Sequence, residues 1–158
     1  MTGTLRFAAI IALVILCDQV SKWWIITHFA LYESEQVIPG FFNLTYLTNT
    51  GAAFGILAGQ PALWRHAFFI AVALAALLAV LLLYLRMRRV SFYYELSLAL
   101  IAGGALGNLI DRLRFGSVVD FLDFYLRSHH WPAFNVADSS ITVGVTVFLV
   151  YSLFFEKK

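Results

Sequence analysis

The sequence predicts an all-α membrane protein: four transmembrane helices with a small extracytoplasmic β-sheet and an interfacial loop or helix. Three observations carry the prediction. Hydrophobic residues make up 61% of the chain and charged ones 13%, far from the average of soluble domains. Four segments, roughly 6–27, 66–86, 92–111 and 136–155, are long enough to cross a hydrocarbon core of about 30 Å at about 1.5 Å per residue. The connections on one side are long and mix aromatic and β-branched residues with charge. With 158 residues, the chain has room for a single integral membrane domain.

In the first span, Arg6 is followed by FAAIIALVILC, which resembles a signal peptide ending at a cysteine. Leu16 precedes Cys17 where a small residue is usual, and apolar character resumes at Trp23-Trp24-Ile25-Ile26, so the segment reads as a retained anchor. The lone Cys17 has no partner for a disulfide or a metal pair. Asp18 and Lys22 lie one turn apart and can pair on one face, with Lys22 long enough to snorkel toward the outer headgroups. They form either a structural ion pair or part of a substrate or catalytic contact.

After the first span, Pro39-Gly40 signals a turn, and FFNLTYLTN is rich in strand-forming residues. Asn49-Thr50-Gly51 then turns the chain, and Ala52-Ala53-Phe54-Gly55 permits close packing. The second span has no charge between Ala67 and Leu85 and reads as lipid-facing scaffold. The RMRR turn after it carries the strongest basic bias. With Arg6, Lys157 and Lys158 it predicts both termini in the cytoplasm and the long connections outside, where Arg65, Arg112, Arg114 and Arg127 are spread thinly.

The third span contains Gly103 and Gly107, a small-xxx-small pair that lets a neighbouring helix approach. Gly104, Asn108 and Arg112 recur every fourth residue, so a smooth groove leads to an amide and then a guanidinium. Arg112 reads equally as a snorkelling helix-end residue or as a fork for carboxylates and carbonyls. The second outer connection, RLRFGSVVDFLDFYLRSHHWPAFN, has an interfacial composition. Its stretch from Gly116 to Ala133 is expected to move over the site. Asn135-Val136-Ala137-Asp138 opens the fourth span as a capping box would. Asp138 is equally available as the partner of Asp120, which lies at the same edge.

Acids at such a depth are costly and mark a functional site. Two close carboxylates sharing one proton can supply both the base that activates water and the acid that protonates a leaving amine. No metal or other cofactor is required. His129-His130 lacks a ligand set and reads as a solvated loop pair. Ser21-Lys22 keeps a Ser/Lys mechanism formally open. A formal charge of +2, with arginines scattered among connections, excludes a nucleic-acid surface.

Taken together, DQVSK at 18–22, NTGAAF at 49–54, GGALGNLIDR at 103–112, VVDF at 118–121 and FNVAD at 134–138 resemble the bacterial lipoprotein signal peptidase family. The resemblance implies an aspartyl endopeptidase of the cytoplasmic (inner) membrane, active at its outer face. Its partners would be prolipoproteins bearing a diacylglyceryl-cysteine, cut just before that cysteine, and membrane lipids, with the chain working as a monomer. It assigns catalysis to Asp120 and Asp138, and supporting roles to Asp18, Lys22, Asn49, Gly51, Gly104, Asn108, Arg112, Asn135 and Ala137. A small transporter is the rival class and would place its acids near the midplane on broken helices. A non-enzymatic assembly factor is a third, and would tolerate loss of either acid.

Overall fold

The computed structural model describes residues 3–51 and 62–155. Four long helices run α1 (Gly3–His28), α2 (Ala62–Met87), α3 (Phe92–Phe115) and α4 (Val136–Phe154). Each is long and apolar enough to cross a membrane, and each extends beyond or stops within a few residues of the segment predicted for it. The expected close packing at Ala52, Ala53, Phe54 and Gly55, and the basic pair Lys157 and Lys158, lie outside the described residues.

Local chemistry sets the helix ends. Ser91 caps α3 by accepting the Tyr93 N–H at 3.2 Å. Gly116 ends the same helix in the left-handed region, with φ 73°, and its N–H reaches the Arg112 carbonyl. Asn135 and Asp138 form a reciprocal capping box at the start of α4. At the opposite end of the bundle, Arg6 of α1 grips Glu95 of α3 through two hydrogen bonds of 2.8 and 2.7 Å.

α3 is the central helix, packed against each of the other three. Gly103 faces Val14 of α1, Gly104 faces Ala137 of α4, and Gly144 of α4 faces the Ser97 carbonyl of α3. In each case an added Cβ would collide with its neighbour, so the glycines set how closely the helices approach. α2 contributes Val80 and Tyr84 to a cluster with Leu98 and Ala102 of α3. Most of its remaining large residues are exposed, as expected of a lipid-facing helix.

A four-stranded antiparallel sheet sits where α1 ends and α4 begins: β1 (Ser34–Ile38), β2 (Phe42–Asn49), β3 (Val118–Leu126) and β4 (His129–His130), in that order. Gly40, with φ 77°, makes the β1–β2 turn predicted at Pro39-Gly40. Ile25 of α1 and Phe29, just after it, pack under Val119 and Phe121 of β3, anchoring the sheet to the bundle. β2 carries a bulge: Leu44 faces Leu122, but Leu47, not Tyr46, faces Asp120.

The connection between α3 and α4 is more regular than an interfacial loop. Its Val118–Phe121 portion is buried and pairs with β2, so the stretch from Gly116 to Ala133 is not free to move as a whole. The sequence shows little alternation there because β3 is covered on both faces over this portion.

Candidate active site

Asp120 and Asp138 reach the same groove from different elements, one from β3 outside the spans and the other from the first turn of α4. The groove has a volume of about 980 Å³. Its polar side is formed by Asn49, Asn108, Arg112 and the two acids, and an apolar wall by Trp131, Phe134, Ile141 and Val143.

Three amides hold the acids. Asn49 donates to Asp120 Oδ2 at 3.1 Å and Asn135 to Asp120 Oδ1 at 2.7 Å. Asn108 donates to Asp138 Oδ1 at 2.8 Å, while the Asn135 backbone N–H reaches Asp138 Oδ2 at 3.3 Å. Burial, followed by the nearby Asp138 charge, pushes the Asp120 carboxyl up to about 7, against the opposing pull of the Asn49 and Asn135 hydrogen bonds.

Behind the amides lies a fully enclosed ion cluster. Lys22 Nζ donates to Asp18 Oδ2 at 2.9 Å and Asn108 Oδ1 at 3.0 Å and forms an ion pair with Asp111 Oδ2 at 2.8 Å. Lys22 is 2% exposed, so it does not snorkel to the headgroups. The pairing with Asp18 holds it inside the bundle. Asp18 also accepts the Ala137 N–H at 2.9 Å, which explains how Ala137 belongs to the site through its backbone. Gly104 belongs through the bare surface it offers to Ala137.

Arg112 does not snorkel either. Its guanidinium donates to the Gly51 carbonyl at 3.4 Å and lies 4.6 Å from the centre of the Phe69 ring. Gly51 is held in turn by its N–H donating to Asn49 Oδ1 at 3.0 Å. All eleven residues singled out from the sequence thus converge here, directly or through one neighbour.

Two further residues were not selected from the sequence: Asp111, which is 1% exposed, and Gln19. Gln19 Nε2 donates to Asp18 at 3.1 Å and to Asp111 at 2.9 Å. The available signal was the spacing of Gly104, Gly107 and Asp111, which puts Asp111 on a buried helix face. Asp123, by contrast, belongs to the far end of β3, where it accepts from Asn43 at 2.9 Å and pairs with His130 at 2.9 Å. His130 is therefore a partner of Asp123, not a free solvated side chain.

The four-span arrangement with its sheet is shared with solved proteins. A bacterial membrane enzyme structure obtained by the in meso method at 1.9 Å resolution superposes with a TM-score of 0.84 at 35% identity, covering 99% of this chain and 96% of that one. Another, at 2.3 Å resolution, gives 0.83 at 34% identity, with 100% and 94% covered. The lipoprotein signal peptidase of Syntrophus aciditrophicus (strain SB) is 52% identical over 147 residues, which are 92% of this chain and 90% of that protein. That of Desulforapulum autotrophicum is 49% identical over 152 residues, 96% and 93% respectively. The sequence model of the family described as signal peptidase (SPase) II matches residues 10–154. Because this match runs from the first span to the last and takes in every residue of the groove, the chain belongs to the signal peptidase II family, as a multi-pass membrane protease.

Proposed function

We propose that the protein removes signal peptides from diacylglyceryl-modified prolipoproteins, cutting just before the lipidated cysteine with Asp120 and Asp138 as a catalytic dyad. The observation that carries the reading is the meeting of a buried acid, Asp120, and a half-buried one, Asp138, from separate elements, in one groove with an apolar wall. That combination suits a bond lying between an apolar helix and a lipid-bearing cysteine. The relatives' name, lipoprotein signal peptidase, points to the same substrate class.

Near neutral pH the pair shares a proton, because the raised Asp120 carboxyl and its neighbour resist ionising together. The ionised member takes a proton from water, which attacks the scissile carbonyl. The protonated member hydrogen-bonds the carbonyl oxygen as charge develops there. When the tetrahedral intermediate collapses, a proton passes to the leaving amine and the C–N bond breaks. The two acids titrate as a unit, so either microstate serves. Asn49, Asn108 and Asn135 hold the carboxyl groups in place throughout.

In this reading the termini are cytoplasmic, the groove opens at the outer face of the cytoplasmic membrane, and the chain works as a monomer without a cofactor. A carrier fits less well: Asp120 lies on a strand and Asp138 in a first helical turn, not at the midplane of broken helices. The test is an assay of purified protein in detergent with a diacylglyceryl-modified prolipoprotein. Loss of the signal peptide is expected, and an unmodified precursor should stay intact. Absence of cleavage by folded protein would overturn the proposal.

A further inference from the structure

Lys22 sits between two carboxylates, and each of those carboxylates holds the backbone beside one member of the proposed dyad. Asp111 Oδ2 accepts the N–H of Val119, the residue before Asp120, at 3.1 Å. Asp18 Oδ1 accepts the N–H of Ala137, the residue before Asp138, at 2.9 Å. All three charged side chains are essentially inaccessible, at 2%, 0% and 1% exposure for Lys22, Asp18 and Asp111. Gln19 closes the arrangement by donating to both carboxylates. One ammonium thus ties, through two acids, the strand bearing Asp120 to the helix bearing Asp138.

We propose that Asp111 is a positioning residue for the dyad: with Asp18, across the shared Lys22, it fixes β3 against α4 so that Asp120 stands opposite Asp138. The inference rests on the dyad reading above. Asp111 touches neither Asp120 nor Asp138 directly and acts through the Val119 amide and through Lys22. Enclosed charge-assisted hydrogen bonds of this kind tolerate little displacement, and small displacements are costly in a two-carboxylate mechanism.

The experiment compares kcat, KM and the pH dependence of kcat for wild type, Asp111→Asn and Glu95→Gln, with thermal unfolding of each. Asp111→Asn keeps shape and one acceptor oxygen, but turns an amide NH2 toward donors that need an acceptor. Expected is a fall in kcat on the order of 100-fold with KM changed by less than about threefold. The groups facing Asp120 are Asp138 on α4, Asn49 on β2, Asn135 before α4, and the cations Lys22 on α1 and Arg112 on α3. Removing the Asp111 charge leaves Lys22 less neutralised and favours ionised Asp120, so the acidic limb of the profile should move to lower pH. Glu95→Gln weakens a bond between the same two helices at the far end, and should lower the melting temperature without moving kcat or the limb.

Wild-type kcat and pH profile in folded Asp111→Asn would overturn the proposal. If that variant does not fold, Gln19→Leu decides: it removes a donor from Asp111 without stranding a buried cation. A smaller fall in kcat with KM unchanged supports the proposal, and wild-type kcat overturns it. Asp120→Asn and Asp138→Asn in the same assay separate the two readings, since turnover by either removes the dyad itself.

Discussion

Asn135 donates to Asp120 at 2.7 Å from the side chain whose oxygen, at 2.9 Å, caps the helix carrying Asp138. A single amide therefore fixes one acid directly and the other through the first turn of its helix. It is itself wholly buried and also donates to the Val119 carbonyl at 3.1 Å. The capping role and the proposed catalytic role of the FNVAD motif are compatible, because the cap helps bring the two carboxyls to one groove.

Replacing either acid with Asn keeps volume and most hydrogen bonding while deleting ionisation. Asp120→Asn and Asp138→Asn should each fold and bind a prolipoprotein yet lose nearly all cleavage. The double variant should be little worse, since the two act as a unit. Asp123→Asn should keep substantial activity, because Asp123 serves the Asn43 and His130 contacts away from the groove. Signal-peptide release by purified variants checks all four, and full turnover by either single Asn variant would refute the dyad.

The Asp120 titration should appear in stability as well. The native carboxyl keeps its proton up to about 7, whereas the ordinary value is 3.8. Between these values the native state binds more protons than the unfolded chain. The contribution is thus fully present below the ordinary range and is lost as pH rises toward 7. Raising pH from about 4 to about 8 should lower the melting temperature of wild type relative to Asp120→Asn. Parallel curves would contradict the shift.

Gly104→Ala tests the closest helix approach at the site. A Cβ there meets the Ala137 carbonyl oxygen and comes within 2.7 Å of Ile141, so the first turn of α4 must retreat. A destabilisation of about 1–3 kcal/mol is expected, with most cleavage lost as Asp138 withdraws. Gly144→Ala meets the Ser97 carbonyl at 2.7 Å, farther along α4. It should destabilise comparably while the folded fraction keeps most of its activity. Unfolding curves and kcat of the two variants make the comparison.

Orientation is open to reporter fusions. Fusions at Gln60 and Ser128 should report the outside and one at Arg88 the inside, following the basic turn after α2. The reverse pattern would move the groove to the cytoplasmic face.

The four spans were legible because length and hydropathy alone identify them, and the glycines of α3 because their spacing puts them on adjoining faces. β3 was not legible as a strand: the VVDF portion of VVDFLDFYL is buried on both faces, so neither is left there to alternate with water. The choice between snorkelling and inward-facing positions for Lys22 and Arg112 stayed open for a related reason. A long cationic side chain near a span end has a cheap route to the headgroups, and only partners distant in sequence, such as Asp111 and Gly51, hold these two inside. Asp111 carried no site role in the sequence because its partners Gln19 and Lys22 come from α1, about ninety residues away.

The bulge in β2 ties the site to a matter of counting. Leu47 faces Asp120 and Asn49 faces Val118, which puts Asn49 diagonally beside Asp120 on the same face of the sheet. Had the ladder continued evenly from Leu44, the residue at that diagonal would be Thr48, and the Asn49 amide would point to the opposite face. The stretch between Leu44 and Leu47 therefore has a fixed parity. Loss or gain of one residue within it would leave every side chain of the groove present in the chain and still turn Asn49 away from the acid it holds. A change of length in the β1–β2 turn would leave this parity intact, whereas one between Leu44 and Leu47 would not.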